Sequence, residues 1–210
     1  MSRALTLRNL YDKKFKTLAF TADWQKAFGN PEHNGIWLIF GKDKNGKTTM
    51  ALKLVEILSV ADRVLYVSAE EGFAKAFRDT CKRVGLDAGN KRIHFVEYLP
   101  IEELEERLKT RKCPRILFID NLSIYMDELK GKKLIELSRR YPQKLFIYLA
   151  HEERNEPYGS AARMAKKWAK IIVHVKGLSA FISGRCPGGV MTIDEAKAKI
   201  YWGNSITNQE

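Results

Sequence analysis

Cysteine is scarce and scattered in this chain of 210 residues: there are three, Cys81, Cys113 and Cys186. They form no C-x-x-C pair and no metal-ligand spacing, so neither a disulfide framework nor a zinc site is expected. Three reduced thiols in a cytoplasmic protein are the expectation. No apolar run approaches the roughly 18–20 residues that span a bilayer, so no membrane partner is expected. The opening Met1-Ser-Arg-Ala-Leu-Thr-Leu-Arg lacks the long apolar core of a secretory leader. Internal repeats, low-complexity tracts and linkers are also missing. Acid is in deficit. Against 37 Lys and Arg stand 25 Asp and Glu, a formal net charge of +12. An excess of that size favours contact with nucleic acid. The basic residues gather at Arg3–Lys16, Lys130–Arg140 and Arg163–Lys170. The third group is interleaved with apolar residues, as on a solvated helix face.

Apolar residues make up 45% of the chain, enough for a sizeable core. Strand-like runs are expected at Trp37–Phe40, Arg63–Val67, Ile93–Glu97, Arg115–Ile119, Leu145–Ala150 and Lys170–Val175. Helical patterns fall between them, over Lys47–Leu58, Gly72–Val84, Ile101–Thr110, Glu128–Arg140 and Ser160–Ala169. Strands that are apolar throughout and alternate with helices predict an α/β fold, with a mostly parallel sheet covered on both faces. After Val175 the pattern changes. Ala180–Ser183, Val190–Ile193 and Lys197–Trp202 read as short strands of an antiparallel edge extension. Residues 1–35 read as an N-terminal arm with one short helix, Thr21–Phe28, and residues 36–210 as the main domain.

One motif carries chemistry on its own. Gly41-Lys42-Asp43-Lys44-Asn45-Gly46-Lys47-Thr48 fits G-x-x-x-x-G-K-[ST]. It follows the apolar run Ile36–Phe40 and opens a helix that continues through Thr49, and this strand–loop–helix order is the confirming context for a P-loop. Its backbone N–H groups suit phosphate oxygens. Lys47 is the expected partner of the β- and γ-phosphates, and the Thr48 hydroxyl the expected Mg²⁺ ligand. The second element is Arg115-Ile-Leu-Phe-Ile-Asp120. A carboxylate ends a buried strand about 70 residues after the P-loop, where Asp120 is placed to hold Mg²⁺. ATP and Mg²⁺ are thus the expected cofactors. GTP is not, because Asn90-Lys91 is followed by Arg92-Ile93 and no Asn-Lys-x-Asp motif occurs.

Asn121 stands where many P-loop ATPases carry a glutamate that activates water. The carboxylate must then come from elsewhere. Val64-Leu-Tyr-Val-Ser-Ala-Glu70-Glu71 ends a second strand in acids at the same sheet edge, so Glu70 or Glu71 is a candidate base. Acids at a helix N-terminus also satisfy the helix dipole.

These residues carry a resemblance. Val64–Gly72, Arg83-Val-Gly-Leu, His94-Phe-Val-Glu-Tyr, Ile119-Asp120-Asn121 and Tyr148-Leu-Ala-His151 resemble the RadA branch of the RecA-like ATPases over residues 36–175. The resemblance implies a RecA-like P-loop core, ATP hydrolysis, and work on DNA in recombination, replication or repair. It selects Glu70 over Glu71 as the catalytic glutamate and gives His151 the place of a γ-phosphate sensor. Ser183-Gly-Arg185-Cys-Pro-Gly-Gly resembles the hairpin of hexameric replicative helicases that sends an arginine into a neighbour's site. This implies an ATP-driven homo-oligomer with Arg185 acting in trans. Lys197 and Lys199, alternating on an expected edge strand, are the other pair so implied. The zinc-binding cysteines, the Lys-Asn-Arg-Phe-Gly motif and the C-terminal domain of RadA have no counterparts here. The loop after His151, Glu-Glu-Arg-Asn-Glu-Pro-Tyr-Gly, is partly acidic where RecA-like proteins touch DNA, and acids there repel phosphate. A nucleotide-gated scaffold with slow turnover is the alternative. A small-molecule kinase would need an arginine-bearing lid, of which the sequence has no sign.

Overall fold

The computed structural model describes residues 4–203. Their chain alternates as expected through the core: β1 (Gly35–Gly41), β2 (Val64–Ser68), β3 (Ile93–Val96), β4 (Ile116–Asp120), β5 (Leu145–Glu153), β6 (Glu156–Pro157), β7 (Ile171–Lys176), β8 (Ser179–Gly184) and β9 (Gly189–Thr192). The helices are α1 (Leu7–Tyr11), α2 (Ala22–Phe28), α3 (Lys47–Ala61), α4 (Lys75–Val84), α5 (Ile101–Lys109), α6 (Lys133–Arg140), α7 (Ser160–Trp168) and α8 (Glu195–Trp202). Strand order is β3-β2-β4-β5-β1-β7-β8-β9, with β6 paired to β5. The first six strands in that order run parallel, and β8 and β9 add on antiparallel.

Alternation along each strand builds two cores. Trp37 and Ile39 face one side, with Met50, Leu54 and Leu58 of α3. Ile36, Leu38 and Phe40 face the other, with Leu104 of α5, Leu134 of α6 and Ala161 of α7. Strands buried on both faces explain why the apolar runs showed no alternation in the sequence.

The N-terminal region divides in two. No residue of α1 is buried. From Thr17, bridged to Glu32, the chain joins the body: Leu18, Phe20 and Phe28 are buried, and Phe20 and Phe28 stack with each other and on Trp37. Two helices start later than expected. Gly72, at φ +58, delays α4. The Glu128 carboxylate accepts from Ile101 N and Tyr98 Oη, and Gly131 turns at φ +67 before α6 begins.

The last segment corrects the sequence reading. Lys197–Trp202 is no strand but lies in α8. Asp194 caps that helix, its carboxylate accepting from Lys197 N. An Asp N-cap and the helix formers Glu195, Ala196, Lys197, Ala198 and Lys199 outweigh the alternation. Lys197 and Lys199 therefore do not project from an edge strand. Among the described residues no helix is long and apolar enough to cross a membrane.

Candidate nucleotide site

The parallel strands deliver their C-terminal ends to one edge of the sheet, where a ligand crevice is expected in such folds. There a cavity of about 760 Å³ is lined by Asp43, Lys47 and Thr48 from the P-loop, by Glu70 and Glu71 after β2, by Asp120 and by His151. Residues from four separate stretches of sequence thus meet.

Backbone close to phosphate needs glycine. A Cβ on Gly41 would lie 2.1 Å from the Val175 carbonyl oxygen, and Gly46 turns at φ +99 into α3. No side chain caps α3, so its first N–H groups stay free for an anion. Asn45 accepts from Gly177 N at 2.8 Å, tying the loop to the β7–β8 turn. Lys42 and Lys44 are exposed, Lys44 lining the cavity, while Thr48 and Thr49, also in its lining, are half-buried at the start of α3. Lys47 is buried and donates to the Lys42 carbonyl at 3.0 Å and to Asp43 Oδ1 at 3.3 Å.

Asp43 joins two elements, because its Oδ1 also lies 2.5 Å from His151 Nδ1. With Nδ1–H donating there, Nε2 has two roles open to it. It lies 2.8 Å from Asn121 Nδ2, from which the neutral ring accepts, and 3.1 Å from Glu70 Oε1, to which the protonated ring donates. Asn121 Nδ2 also donates to Glu70 Oε2. Glu70 is thereby held from two directions. The hydrogen bond with His151 keeps the Glu70 carboxyl below its ordinary range and raises the imidazole above its own. Glu71 is pushed upward, first by burial and then by the charge of Glu70.

Asp120 ends β4 and is 6% exposed. Burial, reinforced by Glu70 and Glu71, pushes its carboxyl up to about 7 against the opposing hydrogen bond from Tyr66. Tyr66 Oη donates to it at 2.5 Å. A buried carboxylate so displaced fits a divalent cation, whose charge would restore its ionised form. Among the described residues no group of three or more His, Cys, Asp or Glu side chains is arranged to hold a metal. Mg²⁺ takes one or two carboxylates and completes its shell with water and substrate phosphates. Thr48 and Asp120 are the residues that would hold it.

Sequence reasoning missed Tyr66, Asn121 and Asp43 as partners. For Tyr66 the signal was available: Ser68 pairs with Asp120 across β2 and β4, and Tyr66 lies two residues earlier on the same face. For Asn121 and Asp43 no spacing announces the contact. Arg185 is not brought to the site. It follows Gly184, which pairs with Ile171, in turn paired with Trp37. That is four residues short of Gly41, about 13 Å along the strands. Lys197 does line the cavity, 3.4 Å from Asp194, but from α8. Lys199 is on the same helix.

The sequence matches no family model and no curated protein. Solved structures do match. The flagellar accessory protein FlaH from Methanocaldococcus jannaschii superposes with a TM-score of 0.63 at 16% identity, over 86% of this chain and 96% of that one. A KaiC-like protein from Pyrococcus horikoshii OT3 gives 0.59 at 16% identity, over 78% of this chain and 84% of the other. Identity at that level speaks to fold alone. The strand order, the P-loop after β1 and these two likenesses together give the chain the core fold of the RecA-like P-loop ATPases.

Proposed function

We propose that the protein is a Mg²⁺-dependent ATPase that works on nucleic acid, in recombination, replication or repair, as an ATP-assembled homo-oligomer. The observation that carries the catalytic part is the convergence of Lys47, Thr48, Asp120 and Glu70 on one cavity at the C-terminal edge of the sheet. Lys47 and the α3 N-terminus bind the triphosphate. Thr48 and Asp120 would hold a divalent cation, which would supply charge neutralisation at the phosphate oxygens. Glu70, held ionised by His151 and Asn121, accepts a proton from the attacking water. His151 orients Glu70 and would meet the γ-phosphate of a bound nucleotide. Among the described residues the arginine that lines the cavity is Arg83, from α4. Arg185 is too far to act within its own chain, and supply from a neighbouring copy agrees with that distance. The nucleic-acid part rests on the net charge of +12.

A specific contact favours a second reading, a nucleotide-gated scaffold with slow turnover. The Asp43 carboxylate sits on Lys47 and His151, the two groups expected to meet the γ-phosphate. A nucleotide must displace it, and the exchange of one anion for another slows the cycle. One experiment separates the readings: phosphate release measured with and without single- and double-stranded DNA, beside sizing with a non-hydrolysable nucleotide. DNA-stimulated release supports the first reading. Binding and assembly without stimulation support the second, and no nucleotide binding at all overturns both.

A further inference from the structure

The opposite edge of the sheet, where the parallel strands begin, is rich in cations, with the carboxylates Asp62 and Glu32 also in its lining. Three neighbouring cavities with shared lining residues lie there. The first, about 420 Å³, is lined by Arg63, His94, Arg107, Thr110 and Lys112. It shares Arg63, Thr110 and Cys113 with the second, about 400 Å³, which adds Arg111 and Arg115. The second shares Arg115 and Gln143 with the third, about 260 Å³, lined by Lys13, Lys14, Phe15 and Lys16. The three cavities are neighbours along the starts of β2 and β4 and reach the N-terminal segment, and together they are taken as one groove. Hydrogen bonds from Leu18 N to Pro31 O and from His33 N to Lys16 O anchor that segment beside β1.

Some basic residues at this edge have structural work. Arg92 donates to the Val60 and Ala61 carbonyls at the end of α3. Lys144 is buried and donates to the Cys113 and Pro114 carbonyls. Arg115 lies 3.5 Å from Asp62. Arg107, Arg111, Lys112 and Lys13–Lys16 are different: they are exposed. Among the described residues none of them joins the ion pairs of this edge, which are His33 and Arg115 with Asp62, Lys109 with Glu106, and Lys170 with Glu32. A row of cations without carboxylate partners is a site for a row of anions. One lining group is aromatic. Phe15 is 52% exposed, and Lys13 Nζ lies 5.2 Å from its ring centre. An exposed ring amid cations suits a base stacked beside its own phosphates, the mode by which proteins hold single strands.

We infer that this groove binds the sugar–phosphate backbone of single-stranded nucleic acid, with Phe15 as a stacking platform. The inference rests on the nucleic-acid part of the proposed function and gives that contact an address. Arg63 precedes the C-terminal end of β2 by five residues, about 17 Å along the strand. The groove is thus separate from the nucleotide cavity, and from the β5–β6 hairpin with its acids Glu152, Glu153 and Glu156. Binding here needs no nucleotide.

The test uses the full chain without ATP and a short fluorescein-labelled oligothymidylate, read by anisotropy across a salt series. Arg107→Glu/Lys112→Glu and Lys13→Glu/Lys14→Glu are compared with Lys130→Glu/Lys132→Glu, which makes the same charge change at exposed positions outside the groove. The groove variants are expected to lose at least roughly tenfold in affinity, with the salt slope falling by about 0.7 for each lost contact. The control pair should lose far less. Phe15→Ala should weaken binding of the oligothymidylate by roughly tenfold but leave duplex binding nearly unchanged. Equal losses in groove and control variants overturn the groove, leaving diffuse attraction by net charge. No binding by the wild type overturns the nucleic-acid reading itself. Binding to anionic phosphatidylserine vesicles through the same residues, without oligonucleotide binding, reassigns the groove to a membrane surface. Unchanged thermal unfolding of each variant establishes that the losses are local.

Discussion

The two ends of the same parallel sheet are built from opposite materials. At the C-terminal end, charges are paired around the buried Lys47: Lys47 with Asp43, Asp43 with His151, His151 with Glu70. At the N-terminal end, Arg107, Arg111, Lys112 and Lys13–Lys16 face water as cations. The paired end can set proton positions and distances, which chemistry requires. The unpaired end can hold a flexible polyanion, which needs charge but little geometry. Fold alone dictates neither, since both edges come from the same strands.

The strongest way to break this comparison is to disable one edge and watch the other. Lys47→Ala should abolish ATP turnover and nucleotide binding, measured by phosphate release and a fluorescent ATP analogue, while oligonucleotide binding persists. Arg107→Glu/Lys112→Glu should do the reverse.

Arg185 tests whether the paired edge is complete in one chain. Arg185→Ala should cost on the order of 10³-fold in turnover, the scale of an arginine finger, with nucleotide binding retained. Wild-type specific activity should rise with protein concentration. Mixing Arg185→Ala with Lys47→Ala should recover part of the activity, because some mixed interfaces join an intact site to an intact arginine. Concentration-independent turnover by a strict monomer rules out the trans role. Loss confined to Lys197→Ala/Lys199→Ala moves it to α8.

Asp43 sharpens the comparison, since it occupies the paired edge with an anion of the chain's own. Asp43→Asn keeps the shape and removes the charge that opposes phosphate. ATP affinity should rise several-fold, about 1 kcal/mol, the order of one partly exposed charge pair. Unchanged or weaker binding means that Asp43 positions Lys47 and does not compete with the ligand.

The smallest expected effect is on stability. His151 is raised, so its contribution is full below the unfolded value of 6.5 and is lost as pH climbs through the folded value. Glu70 is lowered, so its contribution is full above the unfolded 4.5 and is lost as pH falls through the folded value. The pair therefore stabilises most between about pH 4.5 and 6.5. Both side chains are partly exposed, at 23% and 39%, and solvent screening keeps the gain below about 1 kcal/mol. His151→Gln should lower the melting temperature most within that window, and less at pH 8 and above.

Much of this was legible in the chain. Apolar strands alternating with helical periods specified the parallel sheet, and the P-loop lay where strand meets helix. Glu70, Asp120 and His151 meet because each lies near the C-terminal end of a parallel strand, Glu70 just after β2, Asp120 at the end of β4 and His151 near the end of β5. Failures came where a local interaction overrode a period. Lys197–Trp202 alternates like a strand, yet an Asp194 cap makes it α8. The Asp43–His151 contact spans 108 positions in sequence, and nothing in either local stretch encodes it. The basic groove stayed hidden because its cations come from the starts of β2 and β4, the end of α5 and the N-terminal segment. Only the sheet brings them into line.

The most direct measurement is Glu70→Gln beside Glu71→Gln, each assayed for Mg²⁺-ATP binding and for phosphate release in the same preparation. Glu70 is oriented by His151 and Asn121, and the change to glutamine keeps its shape while removing the base. Binding within a few-fold of wild type, with release slowed by about 10²–10⁴-fold in Glu70→Gln and little changed in Glu71→Gln, is the expected result. Full hydrolysis by Glu70→Gln, or the large loss in Glu71→Gln alone, contradicts the assignment of the base and the chemistry built on the paired edge.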